Sequence, residues 1–148
     1  MKYNSLSNQA FAALANGLPV PLTITMEGTG SATGWITGNK LYVLCVDAQV
    51  GKYVNVSTPI DFDIINVETI HGDANDCAVQ CLNTASAISD AIAIAASDTI
   101  AIAASDTDID RATTIDNAYN SFSADDDDLR FAITTDAFVG LIICTIDK

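Results

Sequence analysis

Cys77, Cys81 and His71 are the residues whose types come nearest to a metal-ligand set, and Cys45 or Cys144 would be needed to complete it. Spacing argues against it. On an alternating strand Cys77 and Cys81 share a face but stand four residues apart, roughly 13 Å, too far to hold one ion or to form a disulfide. A helical turn or a bulge would bring them closer. Free thiols in apolar surroundings otherwise behave as small hydrophobes, the expected state of Cys45 and Cys144 in particular. His71 is the one histidine, so any acid–base catalyst near neutrality would need it. It stands in the turn-rich run His71-Gly72-Asp73, where exposure to solvent is the ordinary state. No nucleophile elbow is present, and the serines fall in Ala/Ser/Thr-rich runs that suggest turns. With no coherent catalytic set, the chain is not expected to be an enzyme.

The carboxylates offer a second kind of chemistry. Asp106-x-Asp108-x-Asp110 begins like a calcium loop, but Arg111 follows where an EF-hand requires a central glycine and a distal glutamate. Asp125, Asp126, Asp127 and Asp128 are the sharper calcium candidate, because four adjacent carboxylates repel one another and a cation would relieve them. Their competing reading is a solvated turn, since runs of like charge ordinarily sit in water. The glycine-rich stretch GTGSATG lacks the lysine and following helix that a phosphate-binding loop needs.

Composition limits the partners. Half of the chain (49%) is hydrophobic and 17% charged, a balance that folds, and 148 residues bury a genuine core as one domain. Nineteen acids against six bases leave a net charge of −13. That field repels phosphate backbones and anionic lipid, so neither nucleic acid nor membrane is an expected partner. No stretch has the length of a transmembrane helix, and the first residues lack the continuous apolar run of a signal peptide. Only Glu27 and Glu68 are glutamates, and the excess of aspartate favours strands joined by loops over helices.

The elements that would position these residues read as short strands. Residues 1–20 form a separate leader: a short amphipathic helix with Phe11 and Leu14 on one face and Gly17 as its stop, or a frayed end. In a self-assembling protein such a leader is an arm that docks on a neighbour. Pro19 and Pro21 then extend the chain, and residues 21–148 form the single folded domain. PLTITM and KYVNVS alternate, and GWITGNKLYVLCV is a hairpin pivoting on Gly38-Asn39. Trp35 is a core or interface anchor. Ile60, Phe62 and Ile64 point one way with Asp61 and Asp63 opposed, and Cys77, Val79 and Cys81 share a face. Leu129–Thr134 and Phe138–Ile146 close the domain, the latter apolar on both faces and so central in a sheet. Eight to ten short strands give an all-β fold, an antiparallel β-sandwich or jelly roll.

The octapeptide IAIAASDT occurs at Ile92–Thr99 and again at Ile100–Thr107. Alternating Ile and Ala followed by Ser-Asp-Thr favours strand and turn over helix, because Ser and Asp prefer caps and turns. Two copies are too few for a solenoid, so a local duplication that lengthened one hairpin or loop is expected.

The segments Ala87–Ala95, Arg111–Ala118, Ala124–Thr134 and Phe138–Ile146, within the runs NTASAISDAIAIA, RATTIDNAYNSFSADDDDLRFAIT and FVGLIICTI, resemble the C-terminal part of small β-sandwich proteins of tailed bacteriophages. These are head decoration, cement and head-fibre proteins. The resemblance spans about half of the chain, and its motifs are structural. It departs at the family's Ala-Gly-Asp turn, here Ala124-Asp125-Asp126, and in the extra octapeptide. It implies a capsid decoration or cement protein, self-associating as a homotrimer. Its partner would be the major capsid protein, and its place the capsid surface of a virion assembled in the host cytoplasm, where thiols stay reduced. The alternative is a head-fibre or tail-associated module that binds carbohydrate or a receptor. Exposed grouped aromatics would mark that role, and the one Trp and four Tyr are dispersed.

Overall fold

The computed structural model describes residues 17–72, 77–84, 86–94, 109–124 and 126–148. Thirteen strands and no helix occur among them: β1 (Val20–Pro21), β2 (Thr23–Met26), β3 (Ser31–Thr37), β4 (Lys40–Ala48), β5 (Tyr53–Thr58), β6 (Phe62–His71), β7 (Cys77–Asn83), β8 (Ser86–Ala87), β9 (Ile92–Ile94), β10 (Ile109–Arg111), β11 (Ser121–Phe122), β12 (Asp126–Thr134) and β13 (Phe138–Asp147). Eight of the thirteen are four residues or longer, within the range that alternation predicts. The rest are edge pieces too short to carry a periodic signal. The expected leader lies, up to Asn16, outside the described residues, and from Val20 the chain already pairs with β3.

The strands form two antiparallel sheets packed as a sandwich. The larger runs β1-β3-β4-β13-β6-β10, with β11 also on β6. The smaller runs β2-β5-β12-β7-β8, with β9 also on β7. The hairpin between β3 and β4 turns on Gly38-Asn39, and Gly38 takes the positive φ of 57° that such a two-residue turn requires. β13 lies between β4 and β6, the central place its sequence predicts. Its residues alternate: Phe138, Ile142, Cys144 and Ile146 are buried, while Val139, Leu141 and Ile143 face outward, partly covered. Gly140 is required by close approach. A Cβ there would overlap the carbonyl oxygen of Ile70 and lie 2.9 Å from Cζ of Phe138.

Three bulges set the phase of the strands. On β6, Thr145 pairs with Asn66 but Ile146 with Ile64, so Ile65 is the extra residue. The buried set therefore shifts from Phe62 and Ile64 to Val67 and Thr69, leaving Ile65 exposed. On β4, Val46 and Asp47 together oppose Val139, and Asp47 takes a φ of 52°. On β12, an extra residue falls between Asp126 and Leu129. The core between the sheets is formed by Ile36, Leu41, Val43, Val67 and Ile142 from one side and Val54, Val56, Val79, Phe131 and Ile133 from the other. Each such side chain contributes about 1.5–3 kcal/mol on burial.

Candidate functional site

The thiols belong to the core. Cys45 of β4 and Cys144 of β13 point inward from the larger sheet, and Cys77 and Cys81 of β7 from the smaller one, all four buried and none in a disulfide. Cys77 and Cys81 share the inner face, as their spacing predicts, and each meets a different region of the opposite sheet. The Cys81 thiol hydrogen-bonds with Cys144, and Cys77 lies near Cys45. Burial pushes the Cys45 thiol up to about 12, helped by Cys77. Burial, then the contact with Cys144, raises Cys81 well above the ordinary thiol range. A thiol held protonated is not a nucleophile. Among the described residues no three His, Cys, Asp or Glu side chains gather as a metal set. His71 is the last residue of β6.

The acidic run does not form a turn over its described length. Asp125 lies outside the described residues, but Asp126, Asp127 and Asp128 open β12, which begins ahead of the expected Leu129. Asp126 pairs with Thr58, and the Thr84 N–H donates to the Asp128 carbonyl at 2.7 Å. Antiparallel pairing on both sides thus extends the strand into residues whose composition alone favours a loop. Of the Asp106-x-Asp108-x-Asp110 series, Asp106 and Asp108 lie outside the described residues, and Asp110 stands in β10 opposite Thr69. The first octapeptide begins as strand: Ile92–Ile94 pair with Val79, Ala78 and Cys77. Residues 95–107, the remainder of the repeat, lie outside the described residues.

Asp90, which spacing alone does not single out, organises a clip. Its carboxylate accepts hydrogen bonds from the N–H of Thr113 at 2.9 Å, the hydroxyl of Thr113 at 2.7 Å and the N–H of Thr114 at 3.1 Å. The bond from the Thr113 hydroxyl, with the two N–H donors, holds this carboxyl below the usual range. Ser89 bridges Ile115, and the Asp116 N–H donates to the Ile88 carbonyl at 2.7 Å. The segments Ala87–Ala95 and Arg111–Ala118, which carry the resemblance, are thus partners of each other. The cleft beside them, about 350 Å³, is lined by Gln80, Asp90, Thr114 and Asp116 among others. Its Asp90 carboxylate is already engaged in holding the clip.

The outer face of the larger sheet is different in kind. Register aligns its outward residues in rows across β3, β4, β13 and β6: Thr33, Leu44, Leu141 and Ile70 in one, and Trp35, Tyr42, Ile143 and Glu68 in the next. Val46 and Val139 extend the apolar area at the β4 bulge. Leu44 and Val46 are 43% and 48% exposed. The rings of Trp35 and Tyr42 stack with centroids 5.4 Å apart, a rigid aromatic pair on this face. A further row of Thr37, Lys40, Thr145 and Asn66 borders it. In these rows Lys40 and Glu68 carry the charge, and Glu68 is bridged to Arg111 of β10 at 2.7 Å. At about 4.8 Å between strands and about 6.8 Å between rows, these residues occupy a sheet footprint on the order of 400 Å², Thr33 and Glu68 included.

The outer face of the smaller sheet is polar by contrast. A groove of about 430 Å³ there is lined by Thr23, Thr25, Asn55, Val56 and Ser57. The nearby Tyr53 ring is covered by the Arg130 guanidinium, 5.1 Å from its centroid. Sequence reading missed the apolar face because FVGLIICTI explains itself as a central strand. The signal was the coincidence of outward Trp35, Tyr42, Leu44 and Val46 on the neighbouring hairpin. No protein-family model, curated protein or solved structure matches this chain.

Proposed function

We propose that this chain is a structural, non-catalytic virion protein of a tailed phage, a capsid decoration or cement protein. It self-associates, as a homotrimer, on the major capsid protein at the head surface. The observation that carries this reading is the apolar patch of Trp35, Tyr42, Leu44, Val46 and Leu141 on the outer face of the larger sheet, bordered by exposed Asp47 and by the paired Asp63 and Asp147, on a chain of net charge −13. Such a face serves adhesion, while the acids elsewhere keep decorated particles apart in suspension. The sequence resemblance supports the same role, and the Asp90 clip accounts for its shared motifs as structural. The alternative of a carbohydrate-binding module draws less support. Arg130 covers Tyr53, and the Trp35 and Tyr42 rings stack on each other, with Leu44 and Ile143 beside Tyr42.

Quantitative mass spectrometry of purified virions from cells producing the chain tests the proposal. The expected result is a copy number comparable to that of the major capsid protein, lost when heads are stripped and regained on adding the protein back. Absence from virions would overturn it.

A further inference from the structure

We infer that Cys81 of β7 and Cys144 of β13 are a modification site, a disulfide that joins the two sheets when a low-molecular-weight disulfide oxidises them. Topology is the first ground. β13 is central in the larger sheet, and β7 lies inside the smaller one between β12 and the short β8. Both residues are fully buried in the core, Cys144 level with Leu41 and Val67 and Cys81 level with Phe131. Across the interior the two strands come within 8 Å between Cα atoms. That is closer than the roughly 10 Å usual between stacked sheets and near the upper end of the span a disulfide bridges, about 4.4–6.8 Å. The hydrogen bond between the Cys81 and Cys144 thiols already brings their sulfurs together.

Spacing is the second ground. Cys45 pairs with Gly140, four residues along β13 from Cys144, and Cys77 stands four residues along β7 from Cys81. Both separations are roughly 13 Å along the strand, so Cys45 meets Cys77 where Cys144 meets Cys81. The four cysteines thus form two pairs across the sandwich, an arrangement that service as small hydrophobes does not require. A bond between strands of facing sheets is also an established tie in β-sandwiches. In the closed sandwich both thiols are protonated and shut off from solvent, so exchange takes place before β13 is seated. A Cys81 thiolate then attacks one sulfur of the small disulfide, giving a mixed disulfide and one small thiolate, which takes a proton from water. As β13 docks, the Cys144 thiolate attacks the Cys81 sulfur and expels the second small thiolate, protonated in the same way. The protein loses two electrons and two protons, and the small disulfide leaves as two thiols.

Refolding the full chain from denaturant into mixed oxidised and reduced glutathione, and in parallel into reductant alone, tests the site. Free thiols are blocked in denaturant afterwards, and the bonded cysteines are located by mass spectrometry of peptides. The expected product of the glutathione buffer joins Cys81 to Cys144. The variant Cys45→Ala/Cys77→Ala keeps only this pair and should close it too. Its oxidised form should melt roughly 5–15 °C above its reduced form, the gain from closing a loop of about 60 residues, and reductant in denaturant should abolish the difference. Cys144→Ala should leave Cys81 a free thiol. Wild-type protein that refolds in the glutathione buffer with Cys81 and Cys144 both free, or with Cys81 joined to Cys77, would overturn the inference. So would a Cys81–Cys144 bond that lowers Tm, since it would then pull the sheets away from their native spacing. The virion role stands or falls separately, on the copy number in purified heads.

Discussion

Replacing Gly140 with alanine adds one methyl group at the most crowded point of the larger sheet. Its carbon would overlap the Ile70 carbonyl oxygen and sit 2.9 Å and 3.1 Å from Cζ and Cε2 of the Phe138 ring. The ring is fully buried and cannot swing away without opening the core. The carbonyl belongs to β6, which pairs with β13 on both sides of this point, Gly140 with His71 and Leu141 with Ile70. Overpacking of this kind costs about 1–3 kcal/mol, and disturbing one ladder hydrogen bond about 1 more. A total near 3 kcal/mol is a large part of the 5–15 kcal/mol typical of a domain, and for a chain of this length lowers Tm by roughly 6–12 °C. Urea denaturation with a thermal melt measures it. Gly51→Ala is the control: nothing stands within 4 Å of its Cβ position, so only its positive φ of 74° is penalised, by about 1–2 kcal/mol. If Gly140→Ala unfolds within about 0.5 kcal/mol of the wild type, the close approach of β13 to β6 is wrong as described.

The remaining predictions concern titratable groups. Asp90 has a folded pKa below its ordinary value of 3.8, so its contribution to stability is present above that value and is lost as pH falls through the folded pKa. Asp90→Asn should therefore melt lower than the wild type at neutral pH, with the two melting temperatures converging in acid. A constant gap down to the lowest pH would refute the clip as a charge-dependent contact. With Cys45 at about 12 and Cys81 raised by burial, none of the four thiols should react with an aromatic disulfide reagent at mildly alkaline pH in the native protein, and all four should react in denaturant. A native thiol that titrates at once would place that cysteine at the surface.

Local grammar made much of this fold readable. The Gly38-Asn39 hairpin, the alternation of Phe62 and Ile64, the common face of Cys77 and Cys81 and the central position of Phe138–Ile146 all follow from period-two patterning and turn chemistry. What escaped depends on pairing between distant segments. The bulge at Ile65 reverses the phase of β6 through its partner β13, and nothing in the local run INVE marks it. Asp126–Asp128 join β12 because Thr58 and Thr84 supply pairing partners, against the turn preference of aspartate. The outward apolar face escaped for the same reason. An apolar residue at an alternating position has the same appearance whether it faces a core or a neighbour.

The placement of β13 has a consequence for how the chain is made. β4 and β6 are synthesised well before it and do not pair with each other, since β13 stands between them. Until residues 138–147 leave the ribosome, each presents a long unpaired edge, and the larger sheet stands as two separate pieces, β1-β3-β4 and β6 with β10 and β11. Folding of this sheet therefore waits on insertion of the last strand between two that have long been ready. The long sequence separations involved make that step slow and leave the waiting edges open to other chains. A nascent copy held at that stage would be most vulnerable to aggregation where many copies are translated side by side.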